Sequence, residues 1–226
     1  MLEIIDQVRP SAIMIENVRG FMGAVFEDYR ERLRKQLKSM NYQVAWRLLS
    51  ASDYGVPQLR PRVVIVGLQN WAADGFKWPE PNPFDAPTVG ETLHELMASN
   101  GWRGAEAWAQ AADDIAPTLV GGSKKHGGPD LGPTRARAAW ATLGVNGKSI
   151  APEQPERDFV GMPRLTVPMA ALIQGFPREW QFAGKKTSAY RQVGNAFPPP
   201  VAKAVAEQIS TALEANHLLY PIRRSA

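Results

Sequence analysis

The sequence predicts an α/β fold, and three stretches carry this prediction. Residues 12–15 form a short apolar run that ends in the polar pair Glu16-Asn17, which is typical of a buried strand in a parallel sheet. Residues 63–66 form a second apolar run, rich in β-branched side chains. Between them, residues 24–40 repeat apolar side chains every three or four positions, which predicts an amphipathic helix. Strands that alternate with helices indicate a sheet with helices packed on it.

The remaining elements of the first 68 residues follow from local signals. Arg9-Pro10 ends the first helix, because the residue before a proline avoids the helical region, and Asn41 ends the second. The predicted elements are, in order, a helix over 2–8, a strand over 12–16, a helix over 24–40, a strand over 42–49, a loop over 50–62 and a strand over 63–67. This order describes the back half of an α/β sheet rather than a complete one.

Beyond Trp71 the sequence becomes irregular, and regular structure returns at Leu165. The irregular part contains a predicted helix over 89–100, a glycine-rich loop over 121–132 and a short helix or strand over 136–143. Thr166 can cap a helix over 167–174, and Pro168 is tolerated in its first turn. A last helix is predicted over 198–214.

Composition limits the possible functions. The chain has 226 residues, 44% of them hydrophobic, which is enough for one globular domain with an insert. The net charge of +4 permits a nucleic-acid partner, although the segment 71–158 by itself carries a net charge of −4. No signal peptide and no membrane span are expected, which favours a cytoplasmic protein. The sequence contains no cysteine, so this chain has no disulfide, thiolate metal site or cysteine nucleophile, and no metal site is predicted.

Glu16 and Asn17 lie where ligands bind in open α/β sheets, just outside the end of a core strand. Glu16 is therefore a candidate for binding or catalysis. The alternative is that it caps the next helix or pairs with an arginine.

Two further stretches allow both a structural and a functional interpretation. Gln58-Leu59-Arg60-Pro61-Arg62 leads into the second apolar strand, and its arginines could be surface residues at a strand edge or could reach the site. Gln192-Val193-Gly194-Asn195-Ala196 precedes three prolines and a helix. Here Gly194 allows a tight turn, and the amides before a helix can bind a polar ligand; the alternative is an ordinary turn and helix cap.

Taken together, these stretches resemble the DNA cytosine-5 methyltransferases. Glu16-Asn17-Val18, the Gln-x-Arg-x-Arg segment and Gln192 to Pro200 occur in the order typical of that family, and Leu165-Thr166 with Gln174 to Pro177 resembles a fourth family segment. The resemblance covers residues 2–68 and 164–210. It implies a Rossmann-like S-adenosylmethionine-dependent fold in three parts: catalytic residues 1–70, a target-recognition region over 71–163, and a return to the catalytic domain over 164–226.

The resemblance also implies roles for individual residues. Glu16 would bind a cytosine that has been extruded from double-stranded DNA, and Asn17 would hold the neighbouring backbone. Arg62 would contact the base at O2, whereas Arg60 would serve a phosphate or the loop itself. The cofactor S-adenosylmethionine would be bound in part by Gly194, Asn195 and Ala196.

DNA contacts are predicted in two places. The resemblance implies that Thr166 contacts a phosphate beside the extruded nucleotide. In the target-recognition region the clustered basic residues are candidates for DNA contacts, with a solvated basic loop as the alternative. These residues are Lys124, Lys125, Arg135 and Arg137.

Two departures from the family pattern decide the functional prediction. The family attacks the cytosine ring with a cysteine, which this chain lacks, and its Phe-x-Gly-x-Gly cofactor loop is also missing. The sequence therefore predicts one part of a split methyltransferase, inactive alone, whose second polypeptide supplies the cysteine and the cofactor loop. A catalytically inactive remnant or a DNA-binding module is the alternative. Neither the DNA target nor a link to a restriction nuclease can be read from the sequence.

Overall fold

The computed structural model describes residues 1–81, 86–121 and 129–217 of the chain. Its helices are α1 (Leu2–Val8), α2 (Glu27–Ser39), α3 (Asn70–Ala73), α4 (Val89–Ala98), α5 (Ala105–Ala111), α6 (Thr134–Thr142), α7 (Val167–Ile173), α8 (Lys186–Asn195) and α9 (Pro199–His217). Its strands are β1 (Ala12–Val18), β2 (Tyr42–Ser50) and β3 (Pro61–Gln69). Short 3-10 turns occupy Arg19–Met22, Ala24–Phe26 and Ala51–Tyr54.

The chain divides into two compact units. Of the described residues, those within Met1–Leu49, Pro61–Pro81 and Val201–Ala226 form the first unit, and those within Ser50–Arg60 and Asn82–Pro200 form the second. The predicted functional division at residues 70 and 163 is a different kind of boundary and stays a prediction.

The sheet of the first unit has the strand order β1-β3-β2. β1 pairs with β3 in antiparallel register, so that Glu16 lies opposite Val64 and Val18 lies opposite Arg62. The prediction that the 12–16 strand belongs to a parallel sheet is therefore wrong for this pair. The apolar run at residues 12–15 is compatible with either sheet type, so it does not fix the direction of the strand that pairs with it.

The two apolar strands differ in how they are buried. Residues 63–66 of β3 are buried on both faces, at 0–2% exposure, which confirms the predicted buried strand. β1 is buried mainly on one face, where its residues join a core with α1 and α2, whereas Met14 on the other face is 39% exposed. The buried members of this core are Ile5, Ile13, Phe21, Leu33, Leu37, Tyr42, Val63 and Ile65.

The amphipathic helix predicted over 24–40 begins later than expected. Two 3-10 turns precede α2, and Val25, which belongs to the predicted apolar stripe, is 86% exposed. The apolar spacing in the sequence extends to Val25, which precedes the first residue of α2. An exposed valine can match the helical period by chance. The predicted end is confirmed, since Asn41 has a left-handed φ of 69° just after the helix.

The second unit is a helical cluster. α4 packs against α5 and α7, and α7 packs against α8. As predicted, α7 begins after Thr166 with Pro168 in its first turn, and the ambiguous segment at 136–143 is helical. Large buried members of the core include Leu93, Met97, Trp108, Leu119, Trp140, Ile150, Leu165, Tyr190 and Val193.

Three helices were not predicted: α3, α5 and α8. α3 has four residues and α5 is an alanine-rich segment without an apolar stripe, so neither produces a clear period. α8 contains Gly194, so the tight turn that this glycine would allow is not formed. Among the described helices, none is long and apolar enough to cross a membrane.

Candidate active site

Glu16 and Arg62 form an ion pair on one face of the sheet. The antiparallel register brings the two residues to diagonal positions on adjacent strands, and Arg62 Nε lies 2.5 Å from Glu16 Oε1. The Glu16 side chain is 30% exposed and the Arg62 side chain is 13% exposed. The pair thus joins two sequence motifs that lie far apart along the chain. The alternative considered for Glu16, that it pairs with an arginine, is therefore also correct. The Glu16 carboxylate nevertheless remains accessible to solvent.

Arg62 carries its charge in a partly desolvated position. Burial lowers the pKa of Arg62, and the charge and hydrogen bond of Glu16 oppose that effect. Its Nη1 donates to the carbonyl oxygen of Pro61 at 2.9 Å. The guanidinium is therefore held by its own strand and by Glu16. Together the two side chains present a carboxylate acceptor and guanidinium donors at one half-buried place.

Asn17 contacts the backbone next to it. Its Oδ1 accepts a hydrogen bond of 2.8 Å from the amide of Val18. Such a side-chain turn fixes the chain where β1 ends and the 3-10 turn Arg19–Met22 begins. This geometry agrees with the predicted role of Asn17 as a residue that holds its surroundings.

Arg60 lies in the second unit and is almost fully buried, with 1% exposure. Its Nη1 donates to Leu119 O at 2.6 Å, and its Nη2 donates to Gly194 O at 2.8 Å and to Ala196 O at 3.1 Å. Of the two roles predicted for Arg60, these bonds support the one in which it organises the loops rather than a phosphate contact. A buried guanidinium needs such acceptors, because its desolvation is costly.

Two glutamines extend the contacts of Arg60 into a buried polar network. Gln58 Nε2 donates to Gln174 Oε1 at 2.7 Å, and Gln58 Oε1 accepts from the amide of Leu119 at 2.8 Å. Gln174 Nε2 in turn donates to Ala196 O at 2.5 Å. Both glutamines are 0% exposed. We call Gln58, Arg60 and Gln174, with the carbonyls they bind, the motif network, because it joins three of the motifs recognised in the sequence.

Gly194 is helical and permits a close approach of two backbones. A Cβ at this position would lie 2.5 Å from Gly121 Cα, whereas no positive φ is found there. A Cβ at Gly121 would likewise lie 2.3 Å from Asn195 Oδ1. The glycine is thus required by contact with residues 120–121 and not by a turn, which no local sequence pattern reveals.

Thr166 caps α7. Its side chain accepts from the amide of Met169 at 3.4 Å, and the residue is 1% exposed. This geometry supports the capping role suggested by the sequence. A contact between Thr166 and a DNA phosphate stays a prediction.

Two of the four predicted basic DNA contacts lie on α6. Arg135 is exposed, and Arg137 is half-buried beside a surface groove of about 580 Å³ that Asn146 and Lys148 also line. Lys124 and Lys125 lie outside the described residues. In the part of the chain that the structure describes, no group of His, Asp and Glu residues could hold a metal ion.

Comparison with known protein families decides the identity of the chain. The family model described as C-5 cytosine-specific DNA methylase matches residues 1–211. The chain belongs to this family. Its α/β methyltransferase fold is shared by the S. pombe Dnmt2 methyltransferase, with a TM-score of 0.54 and 19% identity over 95% of this chain and 71% of that one.

Two bacterial relatives from the curated set have high identity. Type II methyltransferase M.NaeI of Lentzea aerocolonigenes is 58% identical over 215 residues, which are 94% of this chain and 52% of the relative. Type II methyltransferase M.NgoMIV of Neisseria gonorrhoeae is 49% identical over 216 residues, which are 94% of this chain and 68% of that relative. The chain therefore spans about half the length of M.NaeI.

Cytosine-5 methylases use S-adenosylmethionine. That the segment Gly194 to Ala196 binds it stays a prediction. The carbonyls of Gly194 and Ala196 already accept hydrogen bonds from the motif network. The Asn195 side chain is exposed and can offer its amide to a polar ligand. This segment can therefore contribute a contact to the cofactor, but it is not a whole pocket.

Gln58 and Gln174 were not predicted as site residues, although both stand in the methylase motifs. A signal was present in the sequence, because each is a polar residue next to an apolar element in a segment that resembles the family. They bind each other across 116 residues of the chain, and their other partners are backbone groups such as Ile173 O and the amide of Leu119. Such partners cannot be read from residue spacing.

We predict that Arg60→Met lowers the free energy of unfolding by about 3–5 kcal/mol, because the buried carbonyls of Leu119 and Gly194 lose their charged donor. Arg60→Lys should also destabilise the chain, since one ammonium cannot reproduce the planar fork. Urea unfolding followed by circular dichroism measures both changes. Arg135→Met, at an exposed arginine of the same unit, is the matched control and should change stability by less than about 0.5 kcal/mol. A loss below about 1 kcal/mol for Arg60→Met would show that the motif network does not stabilise this unit.

Proposed function

We propose that this chain is one part of a DNA cytosine-5 methyltransferase. It would bind the extruded base, read the DNA sequence and form one edge of the cofactor site. The enzyme would transfer a methyl group from S-adenosylmethionine to C5 of a cytosine extruded from double-stranded DNA. The observation that carries this proposal is the contact of 2.5 Å between Glu16 and Arg62, which joins two methylase motifs at one half-buried position. Extrusion is required because C5 and C6 are inaccessible while the base is stacked.

The chemistry of the pair suits a cytosine. The base presents an amino donor at N4 and acceptors at N3 and O2. Glu16 can accept from N4 and, when protonated, donate to N3, while Arg62 can donate to O2. When a nucleophile adds to C6, electron density moves toward N3 and O2. A carboxylic acid and a guanidinium placed there stabilise that density, which lowers the barrier to attack.

The reaction needs groups beyond this chain. A cysteine thiolate must form a bond to C6, the sulfonium of S-adenosylmethionine supplies the methyl group, and a base must then take the C5 proton as the thiolate leaves. The chain contains no cysteine, so we assign the nucleophile and the main cofactor loop to a second polypeptide. Asn195 would contribute a contact to the cofactor, while Gly194 and Ala196 would hold that segment in place.

DNA reading is assigned to residues 71–163, with α6 as its described basic element. Arg135 and Arg137 would contact phosphates, and Lys124 and Lys125 would extend the same basic cluster. Thr166 would contact a phosphate beside the extruded nucleotide. The relatives M.NaeI and M.NgoMIV are named Type II methyltransferases, so we place the enzyme in a prokaryotic modification system in the cytoplasm.

The central test is methyl transfer by the separate and combined polypeptides. The purified chain should transfer no tritiated methyl group from S-adenosylmethionine to DNA, because it has no thiol to attack C6. Adding the residues of M.NaeI that lie outside the matched region, as a second polypeptide, should restore transfer. Methylation by the purified single chain would refute the division of the site between two chains. Assembly without transfer would favour an inactive remnant.

Within the active pair, Glu16→Gln should lower turnover by about 10²- to 10⁴-fold, because the amide cannot supply a proton to N3. The affinity for S-adenosylmethionine, measured by calorimetry, should stay unchanged. Glu31→Gln, at an exposed acid of α2 that also pairs with an arginine, is the matched control and should keep full turnover. Unchanged turnover of the Glu16→Gln enzyme would remove Glu16 from the proposed site.

The double variant Arg135→Gln/Arg137→Gln should weaken DNA binding at every sequence tested. If both residues contact phosphates, the slope of log K against log salt should fall by about two. Fluorescence anisotropy of the assembled pair with labelled duplex DNA measures this slope. Arg32→Gln/Arg47→Gln removes the same charge from exposed positions of the first unit and is the control. An equal effect of both double variants would mean that only net charge matters.

A further inference from the structure

β1 is an edge strand with little protection against pairing. In the described sheet it has β3 as its one neighbour, so its other side presents backbone donors and acceptors. Its sequence, AIMIENV, has one charged side chain, Glu16, and that charge is engaged with Arg62. Natural edge strands usually carry charges, bulges or prolines that prevent pairing with another chain.

β2, the opposite edge of the same sheet, keeps one exposed charge as protection. Arg47 projects from it with an exposed side chain and stacks over Trp78 at 5.5 Å. Gln43, Ala45 and Leu48 are also exposed on this strand, Leu48 at 41%. The two edges therefore differ in their charged residue, because Arg47 is exposed whereas Glu16 is paired with Arg62.

The surface around β1 is apolar as well as unprotected. Met14 and Val18 on one face of β1 are 39% and 56% exposed. Ile4 and Val8 form a stripe on α1 with exposures of 63% and 67%. α1 and β1 share one core through Ile5 and Ile13, so the stripe and the strand belong to one packed body. We call β1 with the α1 stripe the open edge. Exposed apolar surface of this kind marks an interaction site.

We infer that the open edge docks the second polypeptide, which adds a β-strand to β1 and covers the α1 stripe. This inference rests on the proposed function, because that function assigns the nucleophile and cofactor loop to another chain. The match to M.NaeI supports the occupant: 94% of this chain corresponds to 52% of that relative, so the relative has much additional chain. A polypeptide with that complementary content fits an unpaired strand in an α/β methyltransferase fold.

The position of Glu16 gives this docking a chemical consequence. Adjacent strands lie about 4.7–4.9 Å apart, so a strand added to β1 places its side chains next to those of β1. Glu16 lies on the face that also carries Met14 and Val18. Docking therefore brings groups of the second polypeptide beside the proposed base-binding acid. A second copy of this chain would fit the same edge geometrically but would bring no thiol.

The test uses the full chain and, as the probe, the residues of M.NaeI outside the matched region, expressed as a separate polypeptide. We expect a one-to-one complex by light scattering. Hydrogen exchange should slow at the amides of β1 and should not change at those of β2. Met14→Lys/Val18→Lys should weaken the complex by about tenfold or more, because two lysines must be desolvated at the new contact. Gln43→Lys/Ala45→Lys, on the protected edge, should leave the affinity unchanged, and circular dichroism should show both variants folded.

Several outcomes would overturn the inference. It fails if no complex forms, if both lysine pairs weaken binding equally, or if β1 is protected by dimerisation of this chain alone. These failures can be told apart from failure of the proposed function. A complex with β1 protection that transfers no methyl group would support the docking and refute the function. Methyl transfer without protection of β1 would support the function and refute the docking.

Discussion

The second unit depends on a single buried charge. Arg60 is 1% exposed, and its guanidinium binds carbonyls from residue 119 and from the end of α8 with the residue that follows it. A buried guanidinium is tolerated only when it is well solvated by the protein, so these segments must come to it. Gln58 and Gln174 satisfy further groups in the same place. The methylase motifs thus contain residues that hold the loops of this unit together.

The first unit uses charge in a different way. Glu16 and Arg62 form a pair that is still partly exposed, at 30% and 13%, and that joins the edge strand β1 to the central strand β3. A pair in this position keeps a fixed geometry and remains accessible to a ligand. Arg60, in contrast, is buried and inaccessible. Arg60 and Arg62 are separated by one residue but differ in environment. Arg60 is buried and holds loops together, whereas Arg62 is partly exposed and can contact a ligand. The unprotected strand beside Glu16 connects the proposed chemistry to the proposed assembly.

Much of the local structure was predictable from the sequence. The helices at 2–8, 89–98 and 167–173 and the strands at 42–50 and 61–69 follow from apolar spacing, proline positions and caps. The antiparallel pairing of β1 was missed because residues 12–15 are equally apolar in either sheet type. Gly194 was misplaced because its requirement comes from Gly121, which lies far away in the sequence. The candidate site residues were predicted from motifs, whereas Gln58 and Gln174 of the motif network were not predicted.

The sequence by itself determined the family, the order of the elements and the lack of a cysteine. These properties depend on residue types and on short spacings, so they can be recognised without knowing which distant residues are in contact. Only the tertiary structure decided that Glu16 meets Arg62, that Arg60 is buried among carbonyls and that β1 is an unprotected edge. The physical reason is that burial, pairing and strand order arise from contacts between residues far apart in the chain, and no local pattern encodes which distant partner a side chain will meet.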